Sequence, residues 1–194
     1  MSDFIKDGTG SGRNAKVGVA NRLHTHSLAV SVPSLATSLG DAFNVSSELV
    51  TLTTAGESAL LYIKNNEEEA LSIITEFVNI GTATGSTAKG IIKFYLNPSA
   101  GTIVSDATEA QVLNRSIGNT QTLTADAYKG AEGKTFTDGS IIALPSPGGA
   151  ITSEYIIPRG TSFGLSYTPA TGTTSQQIQI GFLVIRKYIT HTTD

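Results

Sequence analysis

Cysteine and tryptophan are both absent from this 194-residue sequence, and methionine appears once. Disulfides and thiol chemistry are therefore excluded, and cysteine usage carries no information about redox compartment. Charge is also sparse: 13 Lys and Arg against 16 Asp and Glu give a formal net charge of -3. Nothing in that balance resembles the basic footprint of a nucleic-acid-binding protein. No apolar run approaches the roughly 18 residues of a membrane span. The opening MSDFIKDGTGSGRN lacks the apolar stretch of a signal peptide. These absences predict a soluble chain made in the cytosol, with neither membrane nor nucleic acid as partner. The length suits one domain held by its own core.

Glycine is plentiful, at 20 residues, and Ser and Thr clearly outnumber Lys and Glu. That is the composition of a β protein with many turns. The least ambiguous stretch is 162–189. In SFGLSYTP, Phe163, Leu165 and Tyr167 alternate with Ser162, Gly164 and Ser166, which puts the large residues on one face of a strand. A run of turn formers, PATGTTSQ, separates it from IQIGFLVIRKYI. Ile178 and Ile180 alternate there with Gln177 and Gln179, and residues 182–185 are apolar on both faces, as in a strand covered on two sides. The pattern predicts a long hairpin carrying a β-sandwich core.

Residues 1–14 are Gly-rich and polar without periodicity, which predicts an extended N-terminal arm that orders on a neighbour. Residues 15–194 then form the single sandwich domain. Two strand-like pieces follow the arm, one around Val17 and Val19 and one over 23–32, and Pro33 stops regular pairing. Residues 34–44 read as loop. Residues 48–54 and 59–65 flank Ala55, Gly56 and Glu57 and predict a hairpin. For 65–80 two readings compete. Asn65 or Asn66 would cap a helix with three Glu in its first turn. The β-branched and aromatic content favours a strand over about 71–80, and that reading is adopted.

Residues 90–98 read as a strand ended by Asn97 and Pro98, with TIVS (102–105) as a short strand beyond it. Residues 106–113 read as a helical turn or a loop, and 116–124 as a polar strand at best. Turn signals fall at Lys129-Gly130 and at Asp138-Gly139, the second between short β runs. EYIIP (154–158) is another strand. Turns every 8 to 12 residues or so match a sandwich or jelly roll. The expected fold is an all-β, jelly-roll-like antiparallel β-sandwich.

Chemistry is thinly signalled. His24 and His26 would point the same way from a strand, and three such pairs around an axis would offer six nitrogens. No carboxylate or Cys stands nearby, so a polar pair on an open face or subunit contact is the reading adopted, with no metal assigned. His191 sits in a polar tail. Gly8, Gly10 and Gly12 lack the strand and helix that a phosphate loop needs. Asp3 and Asp7 lack calcium-loop spacing, and no Gly-x-Ser-x-Gly elbow surrounds any serine. Glu67, Glu68 and Glu69 read as a solvated loop or helix start. Tyr62, Tyr95, Tyr155, Tyr167 and Tyr188 fall within strand runs, where a core or interface accounts for them. No catalytic, cofactor or metal residue is assigned, and no enzyme is expected.

Three groups of segments carry a family resemblance. They are DGTGSGRNAKVGVANRLHTHS; LYIKNNEE with FYLNPSAGTIVSD and AYKGAEGKTFTDG; and IIPRGTSFGLSYTPATGTTSQQIQIGFLVI. Together they span most of the chain, which resembles the jelly-roll virion structural proteins of tailed bacteriophages, of the head decoration, cement or minor capsid type. The resemblance implies a part rather than an enzyme. It implies an oligomer, a trimer, that docks on the major capsid protein or another virion protein, and residence in the virion after synthesis in the host cytoplasm. Residues 1–20 are the expected docking element, with His24 and His26 near a subunit contact. A tail or fibre component, adaptor or receptor-binding and glycan-binding in one form, is the alternative with the same fold.

Overall fold

The computed structural model describes residues 4–6, 14–16, 31–88, 90–145 and 154–187. The chain divides into two compact units, Met1–Ser31 and Val32–Asp194. In the first, strand β1 (Phe4–Lys6) pairs antiparallel with strand β2 (Asn14–Lys16), Ile5 opposite Ala15. The expected arm boundary after residue 14 falls inside β2. His24, His26 and the expected strand residues 17–30 lie outside the described residues, as does His191.

The second unit contains helices α1 (Val32–Leu39) and α2 (Thr102–Asp106). Its strands are β3 (Ala42–Ser46), β4 (Val50–Leu52), β5 (Ser58–Asn65), β6 (Ala70–Ile80), β7 (Ile91–Leu96), β8 (Gln111–Asn114), β9 (Ala125–Lys129), β10 (Ser140–Pro145), β11 (Glu154–Ile157), β12 (Ser162–Thr168) and β13 (Gln176–Lys187). One sheet runs β10-β7-β12-β5-β9. The other runs β11-β6-β13-β3-β8, with β4 also on β13. All the ladders are antiparallel.

The pairs β3·β13, β5·β12, β6·β11 and β7·β10 are nested, first with last and inward to the middle. A ribbon doubled once and wrapped over itself produces that order, which is the jelly roll. The all-β, jelly-roll-like sandwich expected from turn spacing is the fold observed.

The core lies between the two sheets. Phe163 and Leu165 of β12 face Ile180, Phe182 and Val184 of β13 inside one buried cluster. Phe163 and Phe182 meet edge to face at 5.4 Å between ring centres. Both strands therefore carry the core as expected, but as the central strands of opposite sheets. They are not a hairpin: residues 169–175 cross from one sheet to the other. The two-sided apolar run of β13 has a plain cause. Phe182 and Val184 point into the core, while Leu183 and Ile185 point outward and are covered with Ala42 by Ala36 of α1.

Several other expectations are corrected. Residues 34–44 are helix and strand, not loop. Val32, Leu35, Ala36 and Leu39 recur at helical spacing, and Pro33 sits in the first turn, where its missing N–H costs nothing. Gly40, at φ 82°, ends the helix. The hairpin expected across 55–57 does not form, since β4 joins β13 while β5 lies in the other sheet. TIVS is the start of α2, entered through Gly101 at φ 137° and closed by left-handed Ala107. Strand β8 replaces the turn or loop expected at its position, and 116–124 form no strand. Only the β run after Asp138-Gly139 exists as a strand. The strand adopted for 71–80 is observed as β6.

Candidate functional site

The outer face of the β10-β7-β12-β5-β9 sheet carries a row of aromatics separate from the core. Tyr95 of β7, Gly164 of β12 and Tyr62 of β5 are successive neighbours in one row. Phe136, from the loop after β9, lies over Gly164 and meets Tyr95 at 4.7 Å and Tyr62 at 6.3 Å. Tyr62 stacks on Tyr128 of β9 at 5.6 Å. Glycine at 164 makes this possible: a Cβ there would come within 2.4 Å of the Phe136 ring. With Ala59 and Ile103 the row is a second small core outside the sheet, closed by α2 and the loop, so these tyrosines serve packing.

Beside it, Glu57 accepts hydrogen bonds from the Tyr95 hydroxyl and the Ser166 hydroxyl, both at 2.6 Å, and pairs with Lys93. Burial alone would raise the Glu57 pKa. Hydrogen bonds from Lys93, Ser166 and Tyr95, with the Lys93 charge, outweigh it and hold the carboxyl below its ordinary value. Tyr95 is pushed up to about 12, first by burial and then by its bond to that carboxylate. The carboxylate is thus ionised and saturated, and the phenol stays protonated. The cluster fastens the start of β5 to β7 and β12 and leaves no base free to work on a substrate.

A second cluster closes one end of the sandwich. Arg186, near the end of β13, lies 5.1 Å over the Phe43 ring, donates to Glu67 at 2.8 Å and reaches Asp41 at 3.4 Å and the Thr122 carbonyl. Burial lowers the Arg186 pKa, but Glu67 and Asp41 more than reverse it. Glu67 also accepts from the Thr124 backbone N–H at 2.6 Å. This corrects the solvated reading of Glu67, while Glu68 is exposed as expected. Two surface carboxylates are equally engaged: Glu132 binds the backbone of Thr53 and Thr54, and Asp138 that of Ser99 and Ala100.

Among the described residues no three His, Asp or Glu converge as a metal-binding group, and no helix is long and apolar enough to cross a membrane. Tyr155 and Tyr167 lie in the core or against it, while Tyr188 is outside the described residues. The conspicuous exposed groups are apolar. Val32, Leu35 and Leu39 of α1 line a shallow groove with Ala36, Ile185 and the Asp41–Arg186 pair. On β10, Ile141 is 51% and Ile142 39% exposed. Both surfaces escaped the sequence reading. The helical spacing of 32–39 signalled the first, and the uncharged run SIIALP signalled the second.

No family model matches the chain, and no curated protein or solved structure matches it. What the site can do is therefore argued from the chain's own chemistry.

Proposed function

We propose that the chain is a structural component of a bacteriophage particle, a head decoration or cement protein. In this reading it docks as an oligomer, a trimer, on the major capsid protein or another virion protein and braces the shell. It resides in the virion after synthesis in the host cytoplasm, and it is not an enzyme. The observation that supports this is the distribution of polar and apolar groups. Glu57, Glu67, Glu132 and Asp138 are all engaged in internal bonds, whereas the exposed groups that stand out on α1 and β10 are apolar. A site that transforms a small molecule needs free, convergent polar groups. A part that packs against symmetric copies needs apolar or backbone surface instead. Residues 1–20 serve as the docking element.

The test is co-sedimentation with undecorated capsids, alongside the solution mass from light scattering. The expected result is an oligomer that sediments with the shells. Deletion of residues 1–14 is expected to abolish binding while the remaining chain still unfolds cooperatively. A chain that ignores shells but binds in a glycan screen would overturn the cement reading in favour of a tail or fibre component.

A further inference from the structure

Among the described strands, β10 is the one long, uncharged edge of the sandwich. Strand β9, at the opposite edge of the same sheet, is covered on its far side, where Ala110 donates to the Ala127 carbonyl at 2.9 Å and Lys129 to the Thr108 carbonyl at 2.8 Å. The edge strands of the other sheet, β8 and β11, have four residues each, and β11 carries Glu154. Such shortness and charge are the usual protections of an edge. By contrast β10, SIIALP, has six residues without a charge. Among the described residues no strand pairs its far side.

The ladder shows which backbone groups of β10 are free. Asn97 donates to the Ser162 carbonyl at 2.8 Å, so Asn97 points its peptide groups at β12. Alternation along the strand then turns Tyr95 and Lys93 the same way, and turns Leu96, Phe94 and Ile92 toward β10. Their partners are Ser140, Ile142 and Leu144. The N–H and C=O groups of Ile141 and Ala143 therefore point away from the sheet, symmetrically placed about Ile142.

We propose that β10 is a self-pairing edge whose partner is β10 of a second copy of this chain, antiparallel about a two-fold axis at Ile142. Ile141 of each copy pairs with Ala143 of the other, so two hydrogen-bonded pairs supply four backbone bonds and leave none of these groups open. The two Ile142 side chains meet on the core-side face, where each is now partly exposed. On the outer face each Ile141 lies against Ala143 of the other copy. The two five-stranded sheets become one of ten strands. Charge does not oppose the pairing: the nearest lysine, Lys93 opposite Ala143, is neutralised by Glu57. Centring on Ala143 instead would set Pro145, which has no N–H, opposite Ile141 and leave the Ile141 carbonyl of each copy without a donor. The contact links copies in pairs and does not depend on the virion reading.

Because the chain has no cysteine, single-cysteine variants report the register directly. A non-hydrogen-bonded antiparallel pair places its Cα atoms about 4.5 Å apart, within disulfide range. Under mild oxidation Ile142→Cys is expected to give a covalent dimer, about tenfold more than Ser140→Cys. Residue 140 lies roughly 13 Å from its own counterpart in this register. Ala143→Pro in the native background removes two of the four bonds without touching the β7 ladder, which does not use that N–H. Because the contact joins copies two by two, it is expected to halve the mass found by sedimentation equilibrium, with an unchanged circular dichroism spectrum. The proposal is overturned if Ile142→Cys forms no dimer, if Ser140→Cys cross-links equally, or if Ala143→Pro associates like the native chain. A chain that pairs this way yet ignores capsids would keep the proposal and defeat the cement reading.

Discussion

Replacing Asn65 tests whether one side chain holds the crossing between the two sheets. Asn65 ends β5 and is 0% exposed. Its Nδ2 donates to the carbonyls of Glu69 at 2.8 Å and Ile157 at 2.9 Å, and its Oδ1 accepts from the Glu67 N–H at 2.8 Å. It therefore shapes the turn from β5 of one sheet to β6 of the other and also ties down the end of β11. In Asn65→Ala the buried Ile157 carbonyl loses a donor, at a cost of about 1–3 kcal/mol. The other two partners are only partly buried and regain water, so each adds about 0.5–1 kcal/mol. The expected loss is about 3 kcal/mol, a large part of the ~5–15 kcal/mol that holds a typical domain.

Asn65→Asp separates hydrogen bonding from packing. In that variant one carboxylate oxygen keeps the Glu67 N–H, but the other would face two carbonyl oxygens in a fully buried site, so folding favours the neutral acid and raises its pKa above the ordinary value. A raised acid binds more protons folded than unfolded, so the variant loses stability as pH rises above about 4. Paired urea unfolding curves at about pH 7 and about pH 4 read the difference. Asn65→Asp should be worse than Asn65→Ala at neutral pH and should approach the native chain in acid. The reasoning fails if the two variants are indistinguishable at both pH values, or if Asn65→Ala costs under ~1 kcal/mol.

Gly164→Ala should destabilise by about 1–3 kcal/mol through overpacking against Phe136. Combining it with Phe136→Ala should cost less than the sum of the single changes in a thermal-unfolding cycle. Arg186→Met leaves Asp41 and Glu67 facing each other without their cation and should cost about 3–5 kcal/mol by urea unfolding, with Arg186→Lys an incomplete substitute because the fork is lost. Glu57, held below its ordinary 4.5, contributes stability that is present above that value and lost as pH falls through its folded pKa. The stability gap between the native chain and Glu57→Gln should therefore narrow in paired unfolding curves from about pH 6 to about pH 3.

Strand positions were legible because alternation is a local signal. Phe163, Leu165 and Tyr167 face the core as their spacing implied, and the two-sided apolar run of β13 did mark a strand covered twice. The cover was not legible. Helix α1 has eight residues with one proline and no charge, and its pattern is too short to outweigh the loop signals of Pro33, Ser34 and Gly40. The engaged carboxylates were hidden for a different reason. Glu67 finds Arg186 across 119 positions of chain, and Glu57 finds Ser166 across 109. Nothing near either glutamate announces a partner that only the fold supplies.

The two failed hairpins share a cause that also explains the fold. Among the described strands from β3 to β13, no two consecutive ones are neighbours in a ladder. Turn chemistry between strands says that the chain reverses, but not whether it returns in the same sheet or in one about 10 Å away. Residues 158–161 and 169–175 both carry strong turn signals, and both cross between sheets. A chain that crosses at such links must find its partners far along the sequence. Strand β13, which pairs with β3, β4 and β6, joins the two ends of the sandwich unit. The central sheet position therefore falls to the last described strand, and its doubly apolar run is the sequence mark of that role. The same nesting puts the middle of the ribbon, the β7·β10 pair, at the sheet edge. In this wrap the last described strand is covered by the fold itself, and the β7·β10 pair is what faces outward.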